Sequence, residues 1–143
     1  MTYLVPDASA VVKWFVPEIV EAAADRWRAA GFDLLVPAHF RLEVAAALLK
    51  KVRSPDDGLI ASEAAVVLRE VERMPVEVRP IEPLLSHAFE LAHLHRRSVH
   101  DSLYLALALS AGCQFMTADR KFYDAMVAAY PKTLRWVEDI PEA

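Results

Sequence analysis

The chain has 143 residues and a formal net charge of −4, with 55% hydrophobic and 25% charged side chains. These values fit one soluble globular domain over residues 1–143, able to bury roughly two-thirds of its unfolded surface. They argue against a polycation that coats nucleic acid by bulk attraction, but not against an enzyme that grips a few phosphates. Glycine occurs only three times, which disfavours a glycine-rich phosphate cradle, and the one cysteine, Cys113, allows no intrachain disulfide. A reducing compartment is expected.

Taken in order, Tyr3-Leu4-Val5 reads as a buried strand that ends at Pro6-Asp7. Helix formers follow from Asp7 to Phe15; Pro17-Glu18 restarts a helix that Gly31 stops. Leu34-Leu35-Val36 is the second strand, and Pro37 is expected to open a helix from about Ala38 to Val52. Ser54-Pro55-Asp56-Asp57 reads as an N-cap, a proline in the first position and an acidic first turn, starting a helix that ends near Met74-Pro75. Val76 to Arg79 alternates as a third strand nearer a sheet edge, and Pro83 starts a helix reaching about Arg96.

The run from Val99 to Leu109 opens on a charge and is then apolar on nearly every face, so it should lie in the middle of the fold. Gln114 to Thr117 is the fourth strand, Asp119 to Ala129 a helix, and Leu134 to Val137 the last strand before an acidic tail. Strands alternating with helices imply a parallel sheet of four to five strands with helices on both faces, and ligands beyond its carboxyl ends. The N-terminus has no basic region, and Asp7 and Lys13 break its apolar run. The longest apolar stretch, Leu103 to Phe115, is too short for a membrane span, so a cytoplasmic protein is expected.

Four acids stand out. Asp7 falls where the first strand ends, Asp119 just beyond the fourth, and Asp101 in the first turn of the central helix. If the first and fourth strands are neighbours, these three meet at one rim. Each has a bland reading, since Asp is a favoured N-cap and Asp101 follows Ser98 at capping-box spacing. Glu43 is the least ordinary: its helical neighbours are His39, Phe40, Ala46 and Ala47 rather than Lys or Arg, so its carboxylate points along an apolar stripe. Two carboxylates about 4 Å apart repel by on the order of 4 kcal/mol at an effective dielectric near 20. A cation must hold such a cluster, and hard oxygen ligands select Mg²⁺, with Mn²⁺ as a substitute. Such an ion lowers the pKa of water and clamps phosphate oxygens, which points to phosphodiester hydrolysis.

The segments Leu4-Val5-Pro6-Asp7-Ala8-Ser9-Ala10, Pro37 with Glu43-Val44-Ala45, His100-Asp101-Ser102-Leu103-Tyr104-Leu105-Ala106 and Thr117-Ala118-Asp119-Arg120-Lys121 resemble, in order and spacing, the motifs of PIN-domain ribonucleases. More closely, the chain is similar to the toxins of VapBC toxin–antitoxin pairs. The resemblance implies a three-layer α/β/α fold, a Mg²⁺-dependent endoribonuclease, a homodimer, and inhibition by a VapB-type antitoxin. It assigns Asp7 and Asp101 as principal metal ligands and Asp119 as a third, direct or through water. Glu43 would bind metal or deprotonate the attacking water; Ser9 and Thr117 would fix water or phosphate.

Arg120 and Lys121, beside Asp119, are the foremost candidates for phosphate contact; Lys13, Arg41, Lys50, Lys51, Arg53, Arg96 and Arg97 are also available. Asp124 reads as a solvated residue, and Trp14, Phe15 and Trp27 as core rather than base-stacking aromatics. His93 and His95, two apart, face different helix sides and make no metal box with Glu90. Two other classes compete: a phospho-acceptor or phosphatase domain with Asp7 as nucleophile, which lacks an Asp-x-Asp motif, and a catalytically silent module that sequesters a partner.

Overall fold

The computed structural model describes residues 2–16 and 23–139. Five strands form one parallel sheet: β1 (Thr2–Pro6), β2 (Phe32–Pro37), β3 (Glu77–Arg79), β4 (Gln114–Thr117) and β5 (Leu134–Trp136), in the order β3-β2-β1-β4-β5. The connections carry α1 (Ala8–Phe15), α2 (Ala23–Ala29), α3 (Phe40–Arg53), α4 (Ala61–Arg73), α5 (Leu85–His95), α6 (Val99–Ala111) and α7 (Arg120–Met126). Crossovers between parallel strands are right-handed. The chain moves one way from β1 to β3 and the other way from β3 to β5, so the two sets of helices cover opposite faces. This is a three-layer α/β/α architecture, with α1 packed on α3 and α4, and α5 packed on α6.

The strand order reverses between β1 and β4, which are adjacent, with Pro6 paired to Met116. In open parallel sheets that reversal leaves a crevice beyond the strands' carboxyl ends. The core runs through the sheet's centre. Leu4, Val5, Leu35 and Val36 are fully enclosed, and α6 is buried continuously from Ser102 to Ala108, as expected of a helix with no polar face. Trp14 and Trp27 belong to this core, while Phe15 is partly buried against it. Strand β3 is short and exposed at the sheet edge. No helix among the described residues is long and apolar enough to cross a membrane.

Three boundaries depart from the sequence reading. Ser54 does not open a helix: it caps the end of α3, its N–H bonding to the Lys51 carbonyl, and the chain turns through Asp57 and Gly58 before α4 begins at Ala61. Gly58 has φ +65°, a left-handed backbone that a continuing helix cannot contain. Ile60 is the actual N-cap, its N–H bonded to the Glu63 carboxylate at 3.2 Å. Pro37 ends β2 instead of starting a helix; Ala38 and His39 form a turn and α3 starts at Phe40. Helix α7 stops at Met126, and a turn replaces its expected last residues. Proline at the end of a strand and proline at the start of a helix leave the same local signature, which explains the second error. The restart at Pro17-Glu18 lies outside the described residues.

Candidate active site

Asp7 leaves β1 at the strand-order reversal and becomes the N-cap of α1. Its N–H bonds to the Met116 carbonyl at 3.0 Å, which ties it to β4. One carboxylate oxygen accepts the Ala10 N–H at 2.8 Å and the Ser9 hydroxyl at 2.6 Å; the other accepts the Thr117 hydroxyl at 2.6 Å. The Thr117 Oγ1 in turn accepts the Asp119 N–H at 3.0 Å, and Ser9 Oγ accepts the Ala118 N–H at 3.1 Å. Ser9 and Thr117 therefore fasten the two acids at the ends of β1 and β4 to each other. Asp7 caps α1 with one oxygen and also lines the crevice, so the capping role does not take it out of the site.

Despite three donors, burial pushes the Asp7 carboxyl up to about 6, with the charge of Asp101 adding to the rise. Asp101 is also raised. Burial is the leading cause, Glu43 and Asp119 push the same way, and the Ser98 hydrogen bond and His100 oppose it. Ser98 caps α6 by accepting the Asp101 N–H at 3.1 Å. Asp119, exposed at the rim, caps α7 through the Phe122 N–H at 3.1 Å. Thus Asp101 feels two other carboxylates and Asp7 feels Asp101. The acids share one electrostatic neighbourhood.

Glu43 behaves differently. Burial would raise its carboxyl, but His39, Tyr104 and His100 together hold it below the usual glutamate value. His39 Nε2 stands 3.1 Å from Glu43 Oε1, at ion-pair distance but not aligned as a hydrogen bond. Tyr104 is 1% exposed; its hydroxyl stands beside the Glu43 carboxylate without the alignment of a full hydrogen bond, and burial plus the charges of Glu43, Asp7 and Asp101 drive its ionisation far above the normal range. It stays a neutral donor. His39 and Tyr104 carry functional surroundings that the acid pattern alone did not reveal; the signal was their spacing, four before Glu43 and three after Asp101.

Asp7, Glu43, Asp101 and Asp119 line one cleft of about 260 Å³, together with Ser9, Lys50 and Tyr104 and a floor of Ala46 and Ala47. Among the described residues no three His, Cys, Asp or Glu side chains are close enough to cage a metal ion by themselves. A donor set of carboxylates around a roomy cleft suits Mg²⁺, which keeps several waters and takes one or two carboxylates rather than a closed protein cage. Two crowded acids with raised pKa values, Asp7 and Asp101, are also what a cation would compensate.

Not every candidate faces this cleft. The Arg120 guanidinium lies 4.1 Å over the Trp136 ring and 3.6 Å from Asp124, and Arg120 does not line the cleft. Asp124 is an exposed ion-pair partner of Arg120 and does not line the cleft.

If Thr117 only filled space, Thr117→Val would be silent. Here it should unfasten one Asp7 oxygen and leave the Asp119 N–H without its acceptor. We expect a fall in activity of about 10- to 100-fold, as for lost partners of metal ligands, with the fold retained by circular dichroism. Unchanged turnover would contradict the role given to this hydroxyl.

An α/β/α sheet with an acid-lined cleft at the β1–β4 reversal defines a known class. The family model described as PIN domain matches residues 4–127. The chain is 31% identical over 127 residues to Ribonuclease VapC3 of two Mycobacterium tuberculosis strains, covering 89% of this chain and 90% of that protein. It is similar to the crystal structure of PAE2754 from Pyrobaculum aerophilum, with TM-score 0.68, 26% identity, and coverage of 96% of this chain and 85% of that one. VapBC-1 from nontypeable Haemophilus influenzae shares the fold at TM-score 0.60 and 12% identity, over 97% of this chain and 100% of that one. The chain belongs to the PIN-domain family and, within it, to the VapC type.

Proposed function

We propose that this chain is a divalent-metal-dependent endoribonuclease, the toxin of a toxin–antitoxin pair, which hydrolyses RNA phosphodiester bonds in the cleft between β1 and β4. The observation that carries the reading is the meeting of four carboxylates from four separate segments in one cleft, and the kinship with Ribonuclease VapC3 supplies the substrate class. Asp7 and Asp101 would hold Mg²⁺, or Mn²⁺ in its place, with Asp119 completing the set directly or through water. The bound ion would supply Lewis-acid stabilisation of the phosphate charge and a lowered pKa for water.

The chain's own groups do the rest. Glu43, kept ionised by His39 and Tyr104, accepts a proton from the attacking water at its carboxylate. Ser9 and Thr117 hold Asp7 in one orientation, and the neutral Tyr104 hydroxyl is a donor available to phosphate or water. Arg120, held by Trp136 and Asp124, would meet the substrate only at its periphery. We further propose one PIN domain over residues 1–143, a homodimer in the cytoplasm, and restraint by a VapB-type antitoxin, as the sequence resemblance implies; the likeness to VapBC-1 fits the last of these.

The test is cleavage of single-stranded RNA by the purified chain beside Glu43→Gln. We expect internal cuts with Mg²⁺ and a loss of about 10²- to 10⁴-fold in the variant, the usual worth of a general base. Equal rates in the two preparations would mean that a contaminant or another residue is responsible.

A further inference from the structure

The acid-lined cleft does not end at its acids. A second groove of about 460 Å³ shares Ser9, Ala47 and Lys50 with it and continues past Lys13 and Lys51. Lys50 stands at the junction of the two. It lies seven residues beyond Glu43 on α3, so the two side chains share one helix face about 10 Å apart. Among the described residues Lys50 has no ion-pair partner, although it borders a cleft rich in carboxylates. The other two lysines are loosely committed: Lys13 Nζ is 3.9 Å from Glu138 and Lys51 Nζ is 4.0 Å from Asp57, both solvent-accessible pairs. Three cations thus line a groove that opens directly from the acid-lined cleft, whereas Arg120 is occupied by Trp136 and Asp124 outside it.

We propose that Lys50, flanked by Lys13 and Lys51, forms a phosphate subsite that takes a backbone phosphate of the same RNA strand next to the scissile one. This rests on the reading that RNA is the substrate. The chemistry suits it: an ammonium on a flexible stem grips phosphate as a point charge and does not select a base. The strand's path then runs from the acids along Ala46 and Ala47 towards α1 and the turn after α3. A chain with net charge −4 holds its polyanion through this local strip.

Two readouts separate this proposal from the function it rests on. The first is fluorescence anisotropy of a labelled, uncleavable single-stranded 2′-O-methyl oligouridylate, titrated over a range of salt with the full chain. Each phosphate contact contributes about 0.7 to the slope of log K against log salt for single strands. Lys50→Gln should reduce that slope by about 0.7, while Arg73→Gln, the same charge change at the far end of α4, should leave it alone. The second readout is kinetic. Lys50→Gln should raise KM for RNA several-fold at nearly constant kcat, and cost hydrolysis of bis-p-nitrophenyl phosphate, which has no neighbouring phosphate, much less. A slope that Arg73→Gln lowers as much as Lys50→Gln, or an equal kinetic loss on the small diester, overturns the subsite. So does an unchanged slope with weakened binding of polyglutamate, which would make the groove a protein site. If the unmodified chain cleaves neither RNA nor the diester, the nuclease reading fails, and the slope alone then judges the subsite.

Discussion

Asp7→Asn should abolish RNA cleavage and, at the same time, make the metal-free protein harder to unfold at pH 7.5. The activity loss follows from removing a charge that would hold the cation, several kcal/mol of transition-state stabilisation, or about 10³-fold in rate. Asp101→Asn should cost as much. The stability gain follows from burial. Asp7 ionises at about 6 in the fold against 3.8 in an open chain, so the folded state keeps its proton where the unfolded state has lost it. Stability from this group is greatest below pH 3.8, declines as pH climbs towards 6, and stays reduced above that, by roughly 3 kcal/mol in all. Asparagine removes the charge, keeps an oxygen for the Ala10 N–H and offers its amide to Thr117, so about 1–2 kcal/mol should return. Urea denaturation in EDTA from pH 4.5 to 7.5 checks this: the unmodified chain should weaken with rising pH more steeply than Asp7→Asn. Parallel curves would mean that Asp7 is not a strained carboxylate.

Stripping divalent ions should halt cleavage altogether, and restoring Mg²⁺ or Mn²⁺ should recover it, because without a cation the carboxylates repel the phosphate and nothing lowers the pKa of the attacking water. The four carboxylates would then face one another uncompensated. Ion binding should stabilise the fold by RT ln(1 + [L]/Kd), about 2.7 kcal/mol at a hundredfold excess over Kd. The gain should be largest near neutral pH and shrink below pH 6, where Asp7 is protonated and a cation must displace its proton. Asp7→Asn combined with Asp101→Asn should show no gain from Mg²⁺. Thermal melts with and without the ion measure this, and a Mg²⁺ effect that survives in the double variant would place the ion elsewhere.

Why so much of this could be read beforehand is a matter of which signals are local. The strands around Leu4, Leu35 and Phe115 announce themselves as short apolar runs, and α6 as a helix with no polar face, so the parallel α/β/α layout followed. Asp7 and Asp119 were legible because strand ends in such sheets face the ligand crevice, and Glu43 because its helical neighbours are apolar. What failed depended on backbone choices that several residues share. Ser54-Pro55-Asp56-Asp57 satisfies the rules for starting a helix, yet the left-handed Gly58 postpones it to Ala61. Tyr104 was hidden within an apolar run, where an aromatic reads as packing; only its hydroxyl beside the Glu43 carboxylate sets it apart. Lys50 was one of many available cations. Which cations reach the cleft depends on α3 running along it and on Trp136 holding Arg120 away, and neither fact is local.

The most direct measurement is anomalous scattering from crystals grown with Mn²⁺. One peak within ligand distance of the Asp7 and Asp101 carboxylates, lost in Asp101→Asn, is the expected result. A fully occupied ion elsewhere, or an empty cleft at Mn²⁺ concentrations that sustain RNA cleavage, would contradict the idea that these acids are gathered to hold a cation.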